Sequence, residues 1–116
     1  MNRRKTLQSV IDHYGADHQL AKAVEEMTEL IHVIARRMQS GHWDKMAFYE
    51  ELADVYVMLD QVKLIFCKSF DDMIELDDFD SILADEILVK LNRTERRMRE
   101  PVVAYKDATA GGNECG

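Results

Sequence analysis

Four acidic residues have a spacing that could hold a metal ion. Glu26 and Glu29 are three residues apart, and Glu51 and Asp54 repeat that spacing further along the chain. Residues i and i+3 of a helix share a face, so each pair can present two carboxylates to one point. Four converging carboxylates cannot all ionise without a compensating charge. Because hard divalent cations prefer oxygen ligands, the pattern favours a Mg²⁺ site formed by two helices.

Glu51 is the strongest of these candidates because it lies on an apolar helix face. Residues 44–67 have the periodicity of an amphipathic helix, with Glu51 near the middle of the apolar stripe and Asp54 at its edge. A carboxylate on such a stripe is costly unless something compensates its charge. Glu25 and Glu50 point away from the stripes and are expected to be surface acids. The stripe consists of Ala47, Phe48, Leu52, Val55, Met58, Leu59, Val62, Ile65 and Phe66.

The elements that must position these acids are all predicted to be helices. The chain has one proline, Pro101, and its glycines fall at segment ends. We therefore expect an all-α fold, a four-to-five-helix bundle in residues 1–100, followed by a flexible tail at 101–116. The first three predicted helices are Thr6–Tyr14, about Asp17–Gln39 and Asp44–Cys67. The next segment is expected to be interrupted around Leu76–Asp80, before a final helix that ends at about Arg99.

Two apolar stripes are predicted to face the core of this bundle. The stripe of the second helix consists of Leu20, Val24, Met27, Ile31, Ile34 and Met38, with Ala23 and Leu30 on its flank. The stripe of the last helix consists of Phe79, Leu83, Ile87, Leu91 and Met98. A narrower stripe on the opposite side of the third helix indicates that this helix is either central in a tightly packed monomer or buried by a partner subunit. In a chain this small we expect the second, as a homodimer or homotetramer. The narrower stripe consists of Ala53, Val57 and Leu64.

Composition excludes some classes of partner. The formal net charge is −7 over 116 residues, whereas a surface that binds a nucleic-acid polymer is normally basic. The two cysteines, Cys67 and Cys115, have neither a disulfide framework nor zinc spacing, which fits a reducing compartment. Neither a signal peptide nor an apolar run of membrane length is apparent. We expect a cytoplasmic protein with no membrane partner.

The acidic segments resemble those of a known family. EEMTEL at residues 25–30, followed by EELADV at residues 50–55, is similar to the E-x-x-E … E-x-x-D signature of the MazG-like, all-α nucleoside triphosphate pyrophosphatases. The resemblance covers about Val10–Phe66, with a looser match at Lys90–Arg97, and is strongest to small phage- or Firmicutes-type members. Further similar residues are Tyr14-Gly15, Gln19 and the run MLDQVKLIF at 58–66.

This resemblance implies a reaction and a cofactor. It implies Mg²⁺, with Mn²⁺ able to substitute, bound by Glu26, Glu29, Glu51 and Asp54. It also implies hydrolysis of a nucleoside triphosphate, typically a deoxynucleotide, to the monophosphate and pyrophosphate. Glu29 and Glu51 are the expected catalytic carboxylates. Glu29 lies furthest from the core stripe of the second helix, so we expect it to accept the proton of the attacking water.

Substrate-binding residues are predicted outside the acidic pairs. Lys90 and Arg93, on one face of the last helix with Arg97, could hold the β- and γ-phosphates, although a solvated basic helix end would have the same pattern. Gln19 could bond a base or ribose, as could Gln61, although an exposed glutamine is the commoner outcome. Trp43 could stack on the base or anchor its loop to the core.

Two other functions fit part of the pattern. Glu29 and His32 form one E-x-x-H motif, which ferritin-like di-iron bundles use twice. A non-catalytic helical dimerisation module would treat the acids as a solvated face, but this requires Glu51 to leave the core face.

Overall fold

The structure is a computed structural model in which residues 1–70 and 76–101 are described. Regular structure in these residues is entirely helical, which confirms the all-α prediction. The four helices are α1 (Arg3–Tyr14), α2 (Ala16–Ser40), α3 (Lys45–Lys68) and α4 (Leu76–Arg97). The predicted flexible tail lies outside the described residues from position 102 onward. Within the described ranges, no helix is both long enough and apolar enough to cross a membrane.

Local sequence signals set the ends of the first three helices. Gly15, at φ +95°, separates α1 from α2, and its N–H donates to the carbonyl of Ile11. Gly41 ends α2 in the left-handed region at φ +81°, where glycine has no Cβ penalty. Asp44 caps α3 as predicted, because its side chain accepts a hydrogen bond of 3.1 Å from the backbone N–H of Ala47.

The acids are positioned by α2 and α3, which pack against each other as a hairpin. α1 packs on both of these helices over a smaller area. Ala23 and Val33 of α2 are buried, as are Val55 and Met58 of α3. These residues belong to a compact unit that extends from Met1 to Leu76, and a second unit begins at Asp77. The candidate site therefore depends on the packing of two long helices within the first unit.

The face of α2 that packs is different from the predicted one. The predicted core stripe is exposed, with exposed fractions of 63% at Val24, 61% at Ile31 and 76% at Met38. Within the described residues of the first unit, the predicted stripe is therefore not the face that packs. The packed face of α2 is a quarter-turn away and consists of Gln19, Ala23, Glu26, Leu30 and Val33. The exposed apolar face of α2 consists of Leu20, Val24, Met27, Ile31, Ile34 and Met38.

α4 also differs from its prediction. It is a continuous helix from Leu76 to Arg97, without the interruption expected around Leu76–Asp80, so the described residues contain four helices and not five. The stripe predicted to face inward is largely exposed, since Leu83, Ile87 and Leu91 are each about half exposed. No described residue of α4 is buried.

Candidate metal centre

Three of the four predicted acids come together where α2 packs on α3. One carboxylate oxygen from each of Glu26, Glu51 and Asp54 lies within 4.8 Å of the other two. Glu26 is on the packed face of α2, and Glu51 and Asp54 are one turn apart on α3. We call this group the acidic triad. Its three carboxylates come from two helices, so one ion bound there would contact both.

Glu51 is the member of the triad that the fold holds most firmly away from water. Its Oε2 is buried, and no group among the described residues donates a hydrogen bond to it. Burial raises the pKa of the Glu51 carboxyl above its ordinary value of 4.5, and the negative charges of Asp54, Glu26, Glu29 and Glu50 raise it further. Such a buried carboxylate oxygen beside two other acids is stabilised when a cation binds to it or when the carboxyl is protonated.

The donor set fits a hard divalent cation. All three groups in the triad are carboxylates, and Mg²⁺ is usually held by one or two carboxylates together with water and substrate phosphates. Histidine and cysteine, which favour softer metals, are absent from the group. The residues present therefore suit a hard cation such as Mg²⁺ better than the softer metals that histidine and cysteine bind.

The fourth predicted acid, Glu29, is not in the triad. Its side chain is exposed and projects about 60° further round α2 than Glu26. Its negative charge nevertheless reaches the site, because it contributes to the raised pKa of Glu51. His32, the second half of the E-x-x-H motif, is exposed on α2 and also lies outside the triad.

Gln19 and Gln61 are buried, contrary to the commoner outcome for glutamine. Their exposed fractions are 4% and 3%, and Gln19 Nε2 donates to Gln61 Oε1 over 2.7 Å. Gln61 Nε2 in turn lies 3.7 Å from Met58 Sδ. The pair therefore forms a polar link inside the α2–α3 interface. The sequence contained a signal for the burial of Gln19, because this residue shares a helical face with Ala23 and Glu26.

Beside the triad is a cleft of about 510 Å³ that the sequence did not predict. Glu26 and Asp54 line one part of it, and Tyr14 and His18 line another. We call it the Tyr14–His18 cleft. Lys22 also lines it and forms an ion pair of 2.8 Å with the exposed Glu25. Tyr14 belongs to the residues that resemble the family, but the sequence predicted no role for it, and His18 belongs to no motif.

Trp43, another predicted substrate residue, is not among the residues that line this cleft. Trp43 is 52% exposed, packs edge-on against Phe48 with ring centroids 5.0 Å apart, and has the Arg37 guanidinium 5.8 Å from its ring centre. Lys90 and Arg93 are exposed on α4, one turn apart. Arg97 is also exposed there. Their contact with substrate stays a prediction.

No protein-family model, no curated protein and no solved structure matches this chain.

Proposed function

We propose that this protein is a nucleoside triphosphate pyrophosphatase, which hydrolyses a nucleoside or deoxynucleoside triphosphate to the monophosphate and pyrophosphate with Mg²⁺. One observation carries the proposal: three carboxylates from two helices converge, and one of them has a buried, unpartnered oxygen. The resemblance of residues 25–30 and 50–55 to the MazG-like signature supports the same reaction. The net charge of −7 makes a cation necessary for any polyanionic substrate at this site.

The triad would hold the cation. Glu26, Glu51 and Asp54 are the proposed ligands, and Mn²⁺ is expected to substitute because it also accepts carboxylate ligands. When bound, the ion would offset the negative charge of the triphosphate and acidify water at the site. The packing of α2 on α3 fixes the three carboxylates before substrate arrives, which reduces the cost of organising the site during the reaction.

Glu29 is proposed as the proton acceptor. It lies beside the triad but outside it, so its carboxylate is not committed to the ion. Water attacks the α-phosphorus, its proton passes to Glu29, and the bond from that phosphorus to the bridging oxygen breaks to release pyrophosphate. Lys90 and Arg93 are the proposed contacts for the departing β- and γ-phosphates, and Gln19 and Trp43 remain candidates for the nucleoside.

The functional form is proposed to be a homodimer or homotetramer. Six apolar side chains of α2 are exposed on one face, together with Val57 of the stripe predicted on α3. Contiguous exposed apolar surface of this kind is typical of protein–protein contact sites. We also propose a cytoplasmic location, which suits the buried free thiol of Cys67.

Two competing functions have less support. A ferritin-like di-iron centre needs histidine ligands, whereas His32 is exposed and outside the triad. A non-catalytic dimerisation module would leave the acids in solvent, whereas Glu51 Oε2 is buried. Each rival has a distinct assay: iron absorbance with oxidase activity for the first, and self-association without hydrolysis for the second.

The proposal is tested with a panel of ribonucleoside and deoxyribonucleoside triphosphates in the presence of Mg²⁺. Pyrophosphate and orthophosphate are measured separately, and the nucleotide product is identified by chromatography. We expect equimolar monophosphate and pyrophosphate from at least one substrate, and no product after EDTA treatment. Orthophosphate alone, or no product from any nucleotide, would contradict the assigned reaction.

A further inference from the structure

The Tyr14–His18 cleft lies directly beside the acidic triad. Its volume of about 510 Å³ is within the range of about 300–1,000 Å³ that is typical of small-molecule sites. It shares Glu26 and Asp54 with the triad. Two smaller clefts, of about 300 and 240 Å³, are lined by no residue of the triad. A substrate whose phosphates lie at the triad therefore has this adjoining cleft available for the rest of its structure.

The far part of this cleft has a stacked pair of aromatic rings. The centroids of Tyr14 and His18 are 5.2 Å apart, and the planes differ by 18°. Gly15 explains the pairing, because it is the single residue between the last turn of α1 and the first turn of α2. Tyr14 is 56% exposed. Exposed aromatic faces are the surfaces on which proteins stack nucleobases.

A buried hydrogen-bond chain holds His18 in place. Gln19 Nε2 donates to Gln61, so Gln19 Oε1 remains to accept, and His18 Nδ1 lies 2.8 Å from it. A carbonyl oxygen cannot donate, so in this arrangement His18 Nδ1 carries the hydrogen. In the neutral ring, His18 Nε2 is then an acceptor. The buried glutamines thus orient the imidazole and set its tautomer, which makes them positioning residues.

The order of groups along α2 matches the order of groups in a nucleoside triphosphate. His18, Lys22 and Glu26 follow one another at intervals of four residues, so they share a side of the helix. Eight residues of helix span about 12 Å, which is comparable to an extended nucleotide. The aromatic end suits a neutral base, the acidic end suits phosphates with their cation, and Lys22 provides a positive charge between them.

We propose that the Tyr14–His18 cleft binds the nucleoside part of the substrate, with Tyr14 and His18 as the base-contacting surface and Lys22 beside the phosphates. This inference rests on the proposed function, since it takes the triad as the phosphate end. It gives a role to three residues for which the sequence predicted none. It also assigns Gln19 a role in orienting His18, in place of the direct contact with base or ribose expected from the sequence.

The test compares a ligand that has a base with one that has none. Binding of an α,β-methylene deoxynucleoside triphosphate and of inorganic tripolyphosphate is measured calorimetrically with Mg²⁺. For Tyr14→Ala and His18→Ala, we expect the analogue to bind about tenfold more weakly, because one stacked aromatic face is lost in each. Tripolyphosphate should bind within twofold of the wild type. Tyr56→Ala is the matched control, since Tyr56 is 61% exposed and does not line the cleft.

Each outcome decides between the two proposals. If the wild type hydrolyses nucleotides and both cleft variants bind the analogue as Tyr56→Ala does, the cleft assignment is wrong and the reaction stands. If both ligands weaken in parallel, the variants act on the phosphate end, and the base assignment is again wrong. If the wild type neither binds the analogue nor releases pyrophosphate from any nucleotide, both proposals fail together. All three exposed side chains can be truncated without opening the core, and circular dichroism checks the fold.

Discussion

The two faces of α2 have reversed roles compared with an ordinary amphipathic helix. The packed face carries a glutamine and a carboxylate, Gln19 and Glu26, against α3, while the apolar face leaves Val24, Ile31 and Met38 in solvent. Hydrophobic burial alone would favour the opposite choice. The packed face carries the acidic triad member Glu26, and the apolar face is the one that we propose as the contact between copies of this chain.

The largest expected effect is on the packed face. Glu51→Gln preserves shape but removes the charge of the triad member whose oxygen is buried. We expect Mg²⁺-dependent pyrophosphate release to fall by at least about a hundredfold, since loss of even an outer-shell partner of a metal costs about 10–100-fold. The measurement is steady-state release from the best substrate of the panel.

Glu50→Gln is the matched control for that change. Glu50 is the preceding residue on α3, and its side chain is exposed. It should retain activity within twofold. Equal activity in the two variants would mean that the triad does no chemistry and that the packed face is only a structural contact.

The apolar face is tested by placing a charge in its centre. Ile31 is 61% exposed in the chain, so Ile31→Lys should leave the helices folded but dissociate the proposed oligomer into monomers. Light scattering coupled to size-exclusion chromatography measures the mass. His32→Lys is the control, because His32 is exposed on α2 but lies off the apolar face. This variant should leave the mass unchanged. A wild type that is monomeric at high concentration would show that this face has no self-partner.

A smaller effect is expected at the polar pair of the packed face. Gln61→Leu leaves Gln19 Nε2 buried without its acceptor, which should reduce the free energy of unfolding by about 1–3 kcal/mol. The double variant Gln19→Leu/Gln61→Leu should recover part of that loss, because neither amide is then orphaned. Urea denaturation of the wild type, the single variants Gln19→Leu and Gln61→Leu, and the double variant gives the coupling energy between the two glutamines. Strictly additive effects would show that the hydrogen bond contributes nothing.

The smallest expected effect is the pH dependence of the metal-free protein. The pKa of Glu51 in the folded chain is raised above its ordinary value of 4.5. At a pH between 4.5 and that raised pKa, the folded chain therefore binds more protons than the unfolded chain. The free energy of unfolding of the wild type should therefore fall as pH rises through that window. The amount by which Glu51→Gln is more stable than the wild type should grow over the same window. Denaturation in EDTA measures this difference, with Glu50→Gln as reference, and added Mg²⁺ should reduce it. A constant difference across the window would mean that Glu51 is not desolvated.

Local patterns were sufficient for the helices of the first unit. The helix predicted at about Asp17–Gln39 agrees closely with α2, which is Ala16–Ser40. The helix predicted at Asp44–Cys67 agrees closely with α3, which is Lys45–Lys68. The reason is that glycine turns and side-chain caps act within a few residues. The interruption expected around Leu76–Asp80 was wrong, because Asp77 and Asp78 lie in the first turn of α4, where the helix dipole favours acidic side chains.

The site was predicted in part. Glu26, Glu51 and Asp54 were all named from their spacing, and the structure brings these three together. Glu29 was placed with them but lies outside the triad, because Glu26 is on the packed face of α2 whereas the side chain of Glu29 is exposed. The contacts between Tyr14 and His18, and between Gln19 and Gln61, join residues whose neighbourhood no spacing rule describes.

The sequence by itself determined that α2 and α3 are helices, that acids recur three residues apart and that Glu51 points toward the packed side of α3. Only the tertiary structure decided which face of α2 meets α3, and with it which acids converge. The physical reason is that periodicity is a property of one helix, whereas pairing depends on how two surfaces fit. α2 is apolar over more of its circumference than one neighbour covers, so its widest stripe did not identify its partner.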